Sequence, residues 1–163
     1  MASESSFDIV SKIDLFEVDN AIGQTAKEVS TRFDLKDCGA EARREDRTIH
    51  LAAADAYKLR SVVEILLQRM AKRGIPLKGL THTKVVTTPT GRAAQTIEIQ
   101  NGIPTDKARE IVRIVKDLKL RVQASILADQ VRVKGGKKDD LQAVIHRLRE
   151  TDLGIDMQFT NYR

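Results

Sequence analysis

The stretch 119–148 constrains the fold most, because its pattern of apolar and polar residues changes once and sharply. The two types alternate over 120–126 and again over 130–134, which is the period of a strand with one buried and one solvent-facing side. After Gly135-Gly136, apolar residues instead recur every three to four positions, as they do on one side of a helix. The stretch therefore predicts two strands joined as a hairpin, followed by a helix.

The same order of elements occurs earlier in the chain. Ile49-His50-Leu51 matches Val131-Arg132-Val133 at a distance of 82 residues, and Leu59 matches Leu141 at the same distance. With the flanking segments, each half reads as strand, helix, strand, strand, helix, strand. Short apolar patterns often match by chance, but the shared order indicates a duplication.

This order of elements is the ferredoxin-like plan, in which two helices cover one face of a four-stranded antiparallel sheet. The sequence thus predicts the α+β class with two ferredoxin-like domains. A turn at Pro89-Thr90-Gly91 folds 92–100 antiparallel onto the strand 80–88, so that 92–100 takes the first strand's place in the first sheet. The N-terminal strand would fill the vacancy in the second sheet. We therefore expect one domain from residues 11–100 and another from residues 1–10 with 101–163, with their leading strands exchanged.

The charge of the chain bears on its partners. The net charge is +5, and residues 91–163 hold 14 Lys and Arg against 10 Asp and Glu, whereas residues 1–90 hold 14 against 13. This excess favours an anionic partner, although an ordinary solvated surface can carry a charge this small. The sequence has neither an apolar run of membrane-spanning length nor a signal-peptide core, so we expect a cytoplasmic protein with no membrane partner.

The sequence offers little for catalysis. The three histidines, His50, His82 and His146, lack the spacing of metal ligands, and Cys38 has no second cysteine to pair with. Asp139-Asp140 resembles a carboxylate pair, but a helix cap explains it more simply. We expect no enzyme activity, no metal and no cofactor.

Basic residues around the second hairpin form the best predicted ligand surface. Alternation places Arg121, Arg132 and Lys134 on the face away from the helices. The lysines around Gly135-Gly136 precede a helix N-terminus, where backbone amides can hold phosphate, although a solvated turn is the simpler explanation. A face that packs on the other domain or faces solvent would show the same pattern. The predicted ligand-binding residues are Lys119, Arg121, Arg132, Lys134, Lys137, Lys138 and Arg163, with Arg32 and Arg73 as candidates from the first half of the chain.

Aromatic residues are absent from the hairpin strands, where an RNA-reading sheet of this topology stacks bases. Phe7, Phe159 and Tyr162 lie in terminal strands that we expect to meet in the second sheet. Phosphate-dominated or dinucleotide binding is therefore favoured over sequence-specific recognition of single strands.

From end to end the chain resembles the YajQ family of small bacterial proteins. The resemblance is carried by Ser6-Phe7-Asp8-Ile9-Val10-Ser11, Arg32-Phe33-Asp34, Lys72-Arg73-Gly74-Ile75, Gly102-Ile103, Lys119-Leu120-Arg121-Val122-Gln123-Ala124, Arg132-Val133, Asp139-Asp140-Leu141-Gln142 and Gln158-Phe159-Thr160-Asn161-Tyr162-Arg163. It implies two ferredoxin-like domains with exchanged N-terminal strands.

The same resemblance implies a nucleotide-binding protein whose ligand is GTP or a cyclic dinucleotide. Some members are similar to cyclic di-GMP effectors that act on transcription, here through a protein or DNA partner. The alternative is an RNA-binding, nucleic-acid-binding or chaperone-like module that uses the same basic face.

Overall fold

The computed structural model describes residues 4–163, so residues 1–3 of the predicted segment 1–10 lie outside the described residues. The chain divides into two compact units. The terminal unit joins the chain up to Lys12 to Asn101–Arg163, and the central unit is Ile13–Gln100.

The order of strands and helices follows the prediction, except that two short strands occupy the predicted strand 80–88. The elements are β1 (Ser5–Val10), α1 (Leu15–Thr31), β2 (Glu41–Glu45), β3 (Thr48–Ala53), α2 (Ala56–Lys72), β4 (Leu80–His82), β5 (Val86–Thr87), β6 (Ala93–Ile99), α3 (Thr105–Asp117), β7 (Val122–Leu127), β8 (Gln130–Gly135), α4 (Lys138–Glu150) and β9 (Gln158–Thr160). No helix in the described residues is long and apolar enough to cross a bilayer.

The terminal unit contains a four-stranded antiparallel sheet in the order β7-β8-β1-β9. Phe7 and Ile9 of β1 are fully buried and lie opposite Val133 and Val131 of β8. Side chains from α3 and α4, among them Ile111, complete this core. Each such side chain contributes roughly 1.5–3 kcal/mol through its burial, so a central strand with two of them is essential to the unit.

The central unit has its own core beneath a five-stranded antiparallel sheet. The strand order is β2-β3-β6-β4, and β5 also pairs with β6. Asp14 and Asp55 cap α1 and α2 by accepting hydrogen bonds from the backbone amides of Phe16 and Lys58, at 2.9 and 2.7 Å. Two mixed α/β units with antiparallel sheets are compatible with ferredoxin-like repeats.

Two local predictions were wrong. The predicted strand 80–88 is interrupted, because Leu80 pairs with Ile99 while Val86 pairs with Ala94, a register that leaves one extra residue as a bulge. Asp139 and Asp140 do not cap α4. They lie in its first turn, where their negative charges interact favourably with the helix dipole. The cap position is Lys137, whose side chain makes no capping hydrogen bond.

A buried carboxylate ties β1 to both of its neighbours. Asp8 is only 3% exposed and accepts a hydrogen bond at 2.8 Å from Nε of Arg132 on β8. Nδ2 of Asn161, just beyond β9, donates to its other oxygen at 2.7 Å. The Arg132 hydrogen bond holds the pKa of Asp8 below its ordinary value despite the opposing effect of burial, and the Asn161 bond adds to that lowering.

Replacing Asp8 by Asn should therefore destabilise the protein in a pH-dependent way. Because its pKa is lowered on folding, the carboxylate contributes its full stability above the unfolded-state pKa of about 3.9 and loses it as the pH falls through the folded-state value. We expect the free energy of unfolding to fall by about 1–3 kcal/mol near pH 7, which is typical of losing a buried hydrogen bond to a charged group. Thermal unfolding between pH 7 and pH 2 measures it.

Asp117→Asn is the matched control, because Asp117 is exposed and forms no ion pair within the described range 4–163. It should track the parent at neutral pH. A loss of stability in Asp8→Asn that is as large at pH 2 as at pH 7 would contradict the assigned role of Asp8.

Candidate functional site

The sheet of the terminal unit collects six of the predicted binding residues at one end. Since β7 and β1 both run antiparallel to β8, the starts of β7 and β1 lie beside the end of β8, and Lys134 pairs with both Gln123 and Ser6. Ser6 also exchanges two backbone hydrogen bonds with Arg163, at 3.2 and 3.0 Å. We call this group the cationic end; it comprises Lys119, Arg121, Lys134, Lys137, Lys138 and Arg163.

Lys134 and Arg163 lie on the same side of the sheet. Both flank Ser6, whose neighbour Phe7 points into the core, so that residues 6, 134 and 163 form a row on the face opposite the helices. This is the face that alternation predicted for Lys134 and Arg121.

A bulge near the C-terminus sets the direction of the last side chains. Asp8 pairs with Thr160, whereas Ser6 pairs with Arg163, so the terminal segment has one residue more than β1 between these two pairs. Asn161, at φ 56°, reaches Asp8 on the helix-free face. The ring of Tyr162 lies 6.2 Å from that of Phe7, on the helix side. The bulge thus directs the side chains of Asn161 and Tyr162 to opposite faces of the sheet.

Among the described residues no acidic side chain is ion-paired with the cationic end, and Arg163 acts on Asp8 only at longer range, where it helps to lower the pKa of that carboxyl. All six members are exposed, and none of them forms an ion pair in the part of the chain that the structure describes. Asp139 and Asp140 follow Lys138 in the first turn of α4 but do not pair with it. The positive charges are therefore available to an anionic ligand.

Arg132 differs from the other predicted residues of this unit. Its guanidinium already binds the buried Asp8, so its charge is compensated within the protein. It lines a shallow polar hollow of about 490 Å³ on the helix-free face, together with Asp8, Val10, Lys12, Gln130, Gln158, Thr160 and Asn161. Loss of Arg132 would leave Asp8 with a single side-chain partner, so a variant at Arg132 changes stability as well as charge.

Arg32 and Arg73 belong to the central unit. Arg32 forms an ion pair with Asp34 at 2.9 Å, and Arg73 pairs with Glu17 at 3.0 Å and bonds to Gln24. Both are therefore matched by acidic partners, unlike the six residues of the cationic end.

A pocket beside α4 contains two members of the cationic end. It measures about 320 Å³ and is lined by Ser5, Ser6, Phe7, Lys138, Leu141, Gln142, Ile145, Tyr162 and Arg163. Tyr162 is 58% exposed. The sequence predicted Tyr162 in this sheet but not in a pocket. The bulge that turns its side chain towards the pocket cannot be recognised from the alternation of apolar and polar residues.

The central unit has a larger groove, of about 540 Å³, on the helix-free face of its sheet. No predicted binding residue lines it. Much of its polar lining is internally satisfied, since the hydroxyls of Thr83 and Thr96 are 2.9 Å apart and Gln95 donates to the Thr83 carbonyl at 2.8 Å. Within the described residues, no group of three or more His, Cys, Asp or Glu could hold a metal ion.

Comparison of the sequence with known proteins assigns this chain to a family. A family model described as nucleotide-binding protein YajQ-like matches residues 5–163. A nucleotide-binding protein of Alkaliphilus oremlandii is 51% identical over 163 residues, which cover 100% of each chain. One from Koribacter versatilis is 50% identical over 99% of this chain and 98% of the relative. One from Desulfitobacterium hafniense is 47% identical over 100% of both chains. The chain therefore belongs to the family of YajQ-like nucleotide-binding proteins.

Proposed function

We propose that this protein binds a nucleotide at the cationic end of the terminal unit. The observation that carries the proposal is the group of six exposed cations, brought together from separate segments of the chain and lacking ion-pair partners among residues 4–163. Unpaired cations at such density cost stability through mutual repulsion, and a phosphate ester would relieve that cost. The relatives named as nucleotide-binding proteins support the same ligand class.

The pocket beside α4 supplies what a base and sugar need. Its volume of about 320 Å³ lies at the lower end of the roughly 300–1,000 Å³ range of small-molecule sites. The exposed ring of Tyr162 offers a stacking surface, and Ser5, Ser6 and Gln142 offer hydrogen bonds. The phosphates would bind Lys138 and Arg163, which line it, and extend past the end of the sheet to Lys134 on the other face.

A ligand with two phosphates suits the arrangement best. Lys134 and Arg163 are two strands apart across Ser6, a separation of roughly 10 Å at about 4.8 Å per strand. We therefore propose a cyclic dinucleotide such as cyclic di-GMP as the ligand, with GTP as the second candidate. In this proposal the protein acts as an effector without enzyme activity, passing the signal to transcription through a protein or DNA partner.

The alternative is nucleic-acid binding through the same cations, and its salt dependence differs. Single-stranded RNA contacting all six would lose affinity with a slope of roughly 4 in log Kd against log salt, whereas two phosphates give about 2 or less. The shortage of exposed aromatic residues on the sheet face favours the small ligand.

Replacing Lys134 and Arg163 together by Ala should weaken nucleotide binding at least tenfold. Each residue would lose a charge-assisted hydrogen bond to phosphate, worth about 1.5–3 kcal/mol when desolvated and less at this exposed site. Calorimetric titration with cyclic di-GMP, GTP and an RNA oligomer at two salt concentrations measures the effect, and chromatography of the recovered nucleotide tests for turnover.

The matched control is Arg113→Ala with Lys116→Ala, which removes the same charge from the exposed face of α3. It should bind like the parent. Equal weakening in both double variants would show that only net charge matters and would contradict a site at the cationic end.

We also propose that the two units are ferredoxin-like repeats that have exchanged their leading strands. Support comes from β1, which lies between β8 and β9 in the terminal sheet, and from β6, which lies between β3 and β4 in the central one. The proposed domains, 11–100 and 1–10 with 101–163, differ from the compact units by only two residues at the boundary.

Fragments test the exchange. A fragment of residues 13–100 contains every strand of its own sheet and should fold alone, whereas residues 101–163 lack their central strand and should not. Adding a peptide of residues 4–12 should restore cooperative unfolding of 101–163, measured by circular dichroism, and a scrambled peptide should not. Independent folding of 101–163 without the peptide would contradict the proposal.

A further inference from the structure

The segment 161–163 supplies two lining residues of the pocket beside α4, Tyr162 and Arg163. It follows the last residue of β9 and is exposed along its whole length. Two backbone hydrogen bonds join Arg163 to Ser6, but the residues between this pair and β9 lie in the bulge, outside the regular ladder. What holds the start of the segment therefore decides where both lining residues lie.

Asn161 meets two requirements at the start of this segment. Its backbone lies in the left-handed region, at φ 56°, which favours glycine and which asparagine tolerates better than most other residues. A bulge whose first residue is left-handed commonly has glycine at that position. Here the side-chain amide of Asn161 also donates to the buried carboxylate of Asp8 at 2.7 Å, a bond that glycine could not make. The residue thus combines a backbone conformation with a long-range anchor.

This anchor acts on the pocket through the backbone. Because Asn161 is bound to Asp8 on the helix-free face, the next side chain, Tyr162, leaves the bulge on the helix side, where its ring lies 6.2 Å from that of Phe7. Arg163 follows and closes the bulge. Without the anchor the segment would sample other conformations, and only the fraction of molecules with both lining residues in place could bind the ligand.

We propose that Asn161 is a positioning residue of the nucleotide site. Its side chain points to the opposite face of the sheet from the pocket, yet it sets the affinity by holding Tyr162 and Arg163 against that pocket. The inference rests on the proposed function, because it concerns the same pocket.

Asn161→Ala should weaken nucleotide binding about tenfold, as expected if about one molecule in ten keeps the segment in place. Alanine neither donates to Asp8 nor favours the left-handed conformation. Asn161→Gly keeps the backbone conformation but not the bond, so its affinity should fall between those of Asn161→Ala and the parent. Calorimetric titration with cyclic di-GMP and with GTP, at a temperature where every variant is folded, measures the three affinities.

The matched control for a general loss of stability is Ile111→Val. It removes a methylene group from the core of the same unit and lowers the stability without changing the segment 161–163. It should bind nucleotide like the parent.

An exchange of the two partners separates positioning from the simple loss of a side chain. Asn161→Asp alone would set two carboxylates against each other and should bind nucleotide most weakly. Asp8→Asn combined with Asn161→Asp restores a donor and an acceptor, since the amide at position 8 can accept from Arg132 and donate to the carboxylate at position 161. The double variant should bind more tightly than Asn161→Asp alone. It should also recover the nuclear Overhauser effects between the rings of Tyr162 and Phe7, which report the position of the segment without ligand.

Equal affinity of the parent and Asn161→Ala would overturn the inference and leave the proposed function intact. A double variant that binds no more tightly than Asn161→Asp, or an Ile111→Val variant as weak as Asn161→Ala, would overturn it in the same way. A parent that binds neither cyclic di-GMP nor GTP would overturn the proposed function and this inference with it.

Discussion

The terminal unit depends on one strand that comes from the far end of the sequence. β1 lies between β8 and β9, buries Phe7 and Ile9 in the core, and binds both neighbours through the Asp8 carboxylate. Burial of an unpaired carboxylate would be costly, so Asp8 is tolerated only where Arg132 and Asn161 meet it. This requirement fixes the register of β1 against both neighbours.

That register in turn builds the candidate site. With Asp8 held opposite Arg132, Ser6 lies between Lys134 and Arg163 beside the end of β8. The bulge beyond β9 then sends Asn161 to the carboxylate and Tyr162 to the pocket side. The Asp8 pairing thus fixes the register of β1, and that register accounts for the position of the cations.

The sequence predicted what depends on local pattern. Alternation in 120–126 and 130–134 located β7, β8 and the helix-free face, and the tight turn after Pro89 predicted that β6 folds back onto the preceding strand. Phe7, Phe159 and Tyr162 were expected in one sheet and do meet there, with Phe7 and Phe159 ring centroids 6.0 Å apart. Each of these follows from side-chain period or turn chemistry over a few residues.

Features that depend on pairing between distant segments could not be predicted in this way. Arg132 fits the basic face by alternation, but its partner Asp8 lies 124 residues away and becomes visible only once β1 is in register. The bulges near Thr83 and Asn161 and the pocket at Tyr162 also depend on such pairing. Alternation of apolar and polar residues does not indicate where a β-bulge adds one residue to a strand.

We propose that the cationic end of the terminal unit holds the phosphates of a nucleotide. Backbone amide spectra of the nitrogen-15-labelled protein, recorded during titration with cyclic di-GMP, test it most directly because they locate the ligand residue by residue. We predict saturable shifts concentrated at Ser5, Ser6, Lys134, Lys138 and Arg163, with the central unit unchanged. Saturable shifts confined to residues 13–100, or a spectrum unchanged by cyclic di-GMP and by GTP, would contradict the claim.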